Sequence, residues 1–67
     1  MSQLTIKNNS TIEWKLYDAW RNAGVSSWEI FIKSLDKNII RVRYDTPYTN
    51  VWFKDDAHTT WFILRWS

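Results

Sequence analysis

Trp28-Glu29-Ile30-Phe31-Ile32-Lys33-Ser34-Leu35, then Asp36-Lys37-Asn38, then Ile39-Ile40-Arg41-Val42-Arg43-Tyr44: the reading of residues 28–44 decides the fold. In the second half Ile40, Val42 and Tyr44 alternate with Arg41 and Arg43, the pattern of a strand with one wet face. The first half is apolar and rich in β-branched and aromatic side chains, which suit a pleated, half-buried surface. Between them Asn38 can take the left-handed conformation that hairpin turns need. The stretch therefore predicts a β-hairpin.

Working outward, Asp45-Thr46-Pro47-Tyr48 is a turn signal and residues 50–54 a short strand. Asp55-Asp56-Ala57-His58 is another turn, and residues 59–66 a last strand, so the C-terminal half predicts a four-strand meander. Upstream, residues 3–7 and 11–17 also alternate, separated by the turn residues Asn8-Asn9-Ser10. Leu16, Trp20 and Ala23 fit helical spacing as well, with Gly24 where a helix would be capped, which predicts a short helix over 18–23. Ten Ile and Val, six Thr and twelve aromatics stand against three Ala and two Glu. That bias predicts a mainly β fold, a small antiparallel sheet or SH3-like barrel of five or six strands with one or two short helical turns. The alternative is an α+β winged helix-turn-helix.

Sixty-seven residues make one domain, residues 1–67, near the lower size at which an apolar core suffices without staples. Cysteine is absent, which removes disulfides, cysteine metal sites and thiol nucleophiles. The first residues lack the basic lead and apolar stretch of a signal peptide, and no run approaches the roughly 20 apolar residues of a membrane helix. The expectation is a cytoplasmic protein that meets no membrane.

Six tryptophans, with three Tyr and three Phe, are more large rings than so small a domain readily buries. Some of them belong to a binding face or an oligomer interface. The last strand is apolar on both faces, and Phe62, Leu64 and Trp66 on one of them are the oligomer-interface candidates. The leading functional expectation is thus a non-enzymatic interaction module that binds a protein partner or self-assembles through exposed aromatics. Compact size, no cysteine and dense aromatics suit an accessory protein of a phage or plasmid.

Nine Lys and Arg against seven Asp and Glu give a formal charge of +2, which permits a polyanionic partner without demanding one. Cations interleaved with rings are what a single-strand nucleic-acid binder uses, and the ligand candidates are Lys33, Arg41, Arg43, Tyr44, Tyr48, Trp52 and Arg65. Exposed tryptophans stack on sugars too, so a sugar or small-ligand binder is a third reading. Asn8-Asn9-Ser10-Thr11 holds two overlapping glycosylation acceptor patterns, which mean little without a secretory signal. His58 beside Asp55 and Asp56 has metal-ligand chemistry, but a solvated turn accounts for the same residues, and no metal or cofactor is expected. One His, no Cys and no Gly-rich phosphate loop leave no nucleophile, base and orienting group, so no catalytic residues are assigned.

Two resemblances bear on these readings. Tyr17-Asp18-Ala19 followed by Ala23-Gly24-Val25-Ser26 resembles the helix-turn-helix of lactose-repressor-type regulators. It implies that Ser26 or Ser27 caps a recognition helix, with Ser26-x-x-Glu29 as its capping box and residues 38–54 as a wing. Val42-Arg43-Tyr44-Asp45, Thr46-Pro47-Tyr48 and Val51-Trp52, within residues 28–61, resemble the SH3-like barrels of the Tudor and chromo-barrel type. That resemblance implies a barrel, and an aromatic cage for a methylated side chain at Tyr44, Tyr48 and Trp52.

Overall fold

A computed structural model, describing residues 1–67, shows the deciding stretch as helix followed by strand. The elements in chain order are β1 (Ser2–Lys7), α1 (Thr11–Ala23), α2 (Trp28–Ser34), β2 (Ile39–Asp45), β3 (Tyr48–Phe53) and α3 (Asp56–Trp66). The chain is a small α+β domain, not a mainly β one. Its three strands form an open antiparallel sheet in the order β1-β3-β2, so there is no five- or six-strand sheet, no meander and no SH3-like barrel.

Each expected strand that became a helix did so because its apolar residues also satisfy a helical face. In α2, Trp28, Phe31 and Ile32 point inward and Leu35 follows in register, the i, i+3, i+4, i+7 spacing of a helix packed on one side. In α3 the inward positions are Thr59, Phe62 and Trp66, and in α1 they are Ile12, Leu16, Ala19 and Trp20. Strand alternation would have split each set between two faces, turning at least one of its members away from the core.

Caps fix where these helices begin. Ser10 accepts from the Glu13 N–H, Ser27 from the Ile30 N–H and Asp55 from the His58 N–H. Each such cap satisfies an orphan donor and stabilises its helix by about 1 kcal/mol. Asn8-Asn9-Ser10 and Asp55 to His58 are therefore helix starts, not hairpin turns. Ser27, not Ser26, caps α2, so the anticipated capping box is absent. Glu29 instead accepts from the Tyr44 N–H at 2.8 Å and covers part of the free edge of β2. Gly24 ends α1 at φ 72°, the left-handed conformation that an L side chain adopts only with strain.

The real hairpin is β2 with β3, turning through Thr46 and Pro47. Inward residues Ile6, Val51 and Phe53 pack with Leu16, Phe31, Ile32, Ile39 and Phe62 into one core between the sheet and the helices. Fully burying a side chain of this size contributes about 1.5–3 kcal/mol. Ile40 is an extra residue between Ile39 and Arg41, and this irregularity lets Ile39 face the core while Arg41 and Arg43 face water. No helix is long and apolar enough to cross a membrane.

The helical course of residues 56–66 also removes the basis of the proposed oligomer face. Phe62 is buried within the chain's own core and Trp66 packs against that core, while Leu64 points outward at 71% exposure. A strand would have put the three on one side.

Candidate functional site

A concave aromatic surface lies where α1, α2 and β2 meet. Helical spacing puts Glu13, Tyr17 and Trp20 along one stripe of α1, with Trp14 beside them. Trp28 enters from the first turn of α2, and Tyr44 and Thr49 come from the inner face of the hairpin. Together with Asn8 and Asn9 these residues line a groove of about 510 Å³.

Its floor is rigid. Trp20 donates its indole N–H to the Val25 carbonyl at 2.6 Å, and Trp28 donates to the Thr49 hydroxyl at 3.1 Å. The rings meet edge to face, Tyr17 with Trp20 at 5.7 Å and Trp20 with Trp28 at 5.4 Å between centroids, a geometry worth about 0.5–1.5 kcal/mol per pair beyond burial. Its rim is open: Trp14, Tyr17 and Tyr44 all lie exposed. Asn8 donates to the Tyr44 hydroxyl at 3.2 Å, and that bond, seconded by one from Thr46, holds the phenol below its ordinary pKa of 10.0. Glu13 accepts from the Asn9 N–H at 3.2 Å and is the only formally charged residue in the lining. The groove thus offers five aromatic rings, one carboxylate and no cation.

The ligand candidates read from the sequence fall into four places. Arg41, Arg43, Tyr48 and Trp52 share the outer face of the sheet, in register with Gln3, Thr5, Lys7, Asp45 and Asn50. No helix covers this face, since all its side chains are exposed or half-exposed. Tyr44 is on the opposite face, in the groove, so Tyr44, Tyr48 and Trp52 do not converge and form no cage. Lys33 lies in a cleft of about 200 Å³ between α2 and β2, with Arg41 on its far wall. Arg65 sits on α3 with its guanidinium 5.5 Å from the Trp66 ring, apart from the others. Asp55 is committed to capping α3 and contacts the His58 ring at 2.6 Å; the His58 backbone N–H, then its ring, holds the Asp55 carboxyl below its usual 3.8.

Four of the five groove rings, Trp14, Tyr17, Trp20 and Trp28, were not singled out as a site, nor was Glu13. The signal that finds them is Ser10-Thr11-Ile12-Glu13, a helix-start pattern that turns residues 11–23 into one helix and aligns their rings. No protein-family model, curated protein or solved structure matches the chain.

Proposed function

We infer that the protein is a non-enzymatic interaction module that docks a protein partner by receiving one of the partner's cationic side chains in the aromatic groove. The observation that carries this reading is the lining: five rings and Glu13, with no positive charge among them. Aromatic faces carry negative electrostatic potential, and a desolvated cation over such a ring gains about 2 kcal/mol. Glu13 adds a charge of the right sign, and the Asn9 N–H holds it in place. Rings already locked by their indole hydrogen bonds lose little entropy on binding, which favours affinity. Tyr and Trp at an open rim also suit the anchors that dominate protein interfaces.

The test is a fluorescence titration, with the indoles as reporter, of blocked lysine, blocked trimethyllysine and the neutral isostere blocked norleucine. The two cations quench saturably and norleucine does not. Glu13→Gln, which keeps an acceptor for the Asn9 N–H, and Trp14→Ala both weaken the response. Equal response to norleucine, or a response to neutral hexoses alone, overturns the reading.

A further inference from the structure

The outer face of the sheet is chemically unlike the groove and independent of it. It carries Lys7, Arg41 and Arg43 against Asp45 alone. That is three of the chain's nine Lys and Arg and one of its seven Asp and Glu, so the remaining surface holds six of each. The whole formal charge of +2 resides on this one face.

Cations are only half of the pattern. The central strand β3 presents Tyr48 and Trp52 on the same face, four residues and hence about 13 Å apart. Between them Asn50 accepts from both Gln3, at 3.1 Å, and Thr5, at 3.0 Å, through the same oxygen. Its side-chain orientation is thereby fixed, and its NH₂ group has no acceptor within the protein. Arg41 stands 5.1 Å from the Trp52 ring, and Arg43 is 3.0 Å from Asp45, an exposed pair of little strength. The side chains that flank these rings and cations, Gln3, Thr5 and Asn50, are polar.

We propose that this face binds single-stranded nucleic acid, with bases stacking on Trp52 and Tyr48 and phosphates following Arg41, Arg43 and Lys7. Stacking on rings needs bases freed from a duplex, and a sheet this broad does not enter a groove as a helix does. The helix that could enter one, α2, turns Glu29, Ile30, Lys33 and Ser34 outward, so its single cation stands beside an anion and an apolar side chain, a poor surface for phosphates and base edges. The recognised chemistry is a phosphodiester backbone with exposed bases. DNA and RNA both supply it.

The test is fluorescence anisotropy with labelled oligothymidylate and oligouridylate of about 15 nucleotides, titrated from about 50 mM salt upward. Three cations on a single strand give a log–log salt slope near −2, because each neutralised phosphate contributes about −0.7. Arg41→Gln with Arg43→Gln flattens that slope by about 1 to 2 and weakens both oligomers alike. Trp52→Ala weakens binding roughly 5- to 150-fold, the loss of one stacked base, while Trp52→Phe retains most of it. Trp14→Ala, in the groove on the other side, leaves oligonucleotide binding unchanged, so failure of this proposal and failure of the groove reading are told apart. Far-UV circular dichroism confirms that each variant is folded; should Trp52→Ala unfold, the Arg pair and Trp52→Phe still decide. No binding by the parent at about 50 mM salt, an unchanged slope in the folded Arg pair variant, or tighter binding to duplex than to single strand overturns the proposal.

Discussion

Phe62 and Leu64 separate the helical and extended courses of the last element by stability alone. On a strand the two side chains share a face and their truncations act alike. On α3 they do not: Phe62 is 4% exposed and Leu64 71%. Phe62 packs on Phe53 at 5.3 Å and on Trp66 at 6.2 Å between ring centroids, in the middle of the core. Truncating such a ring to alanine costs about 3–5 kcal/mol. A domain of 67 residues has only about 3–10 kcal/mol in total. Phe62→Ala therefore removes a large share of the stability and lowers the melting temperature by about 12 °C or more, at about 4–8 °C per kcal/mol for this size. Leu64→Ala stays within about 0.5 kcal/mol, as surface changes do. Thermal melts followed by far-UV circular dichroism, with urea midpoints as a second measure, read both values. Gel filtration of Phe62→Ala accompanies them, because its defect is in the folded chain itself and not in subunit contact. Equal losses in the two variants would refute the helical packing of residues 56–66.

Four further variants test the caps and the titrating groups. Ser10→Ala loses the first cap of α1, and Gly24→Ala forces a side chain into φ 72° with no clash to add to the backbone strain; each lowers unfolding free energy by about 1 kcal/mol in urea melts. Asp55 has its carboxyl held below 3.8 by the His58 backbone N–H and ring, so its contribution is present above that pH and is lost as pH falls through the lower folded value. Asp55→Asn keeps a capping oxygen but does not titrate, and its helical circular dichroism accordingly falls less steeply than the parent's below pH 3.8. The Tyr44 phenol ionises below 10.0 chiefly because Asn8 donates to it, so Asn8→Ala moves the earliest phenolate absorbance change in an alkaline titration to higher pH.

Much of the local structure was legible before any tertiary information. Alternation at 40–44 marked β2, Thr46-Pro47 marked the hairpin turn, and Gly24 marked the end of α1. The outward direction of Arg41 and Arg43 was legible too, since a charged residue on a half-buried strand has only one face to take. The groove was not, because it depends on three elements meeting, and no short-range pattern connects Glu13 and Trp14 to Trp28 and Tyr44.

What the amino-acid order determined by itself were the breaks between elements, near 8–10, 24, 46–47 and 55–58, and the strands whose polar and apolar positions alternate. That Ser10 and Asp55 cap helices came only with the fold. What only the tertiary structure decided was the identity of segments 28–34 and 56–66. Their β-branched and aromatic side chains favour strands intrinsically, but that preference amounts to about 1 kcal/mol at most per residue and yields to burial. Residues 28, 31 and 32 and residues 59, 62 and 66 can all reach one sheet face only from a helix. Against the sheet of β1, β3 and β2, the helical course buries Phe31, Ile32 and Phe62 together, and the extended course would turn Phe31 and Ile32 to opposite faces and leave one of them in water.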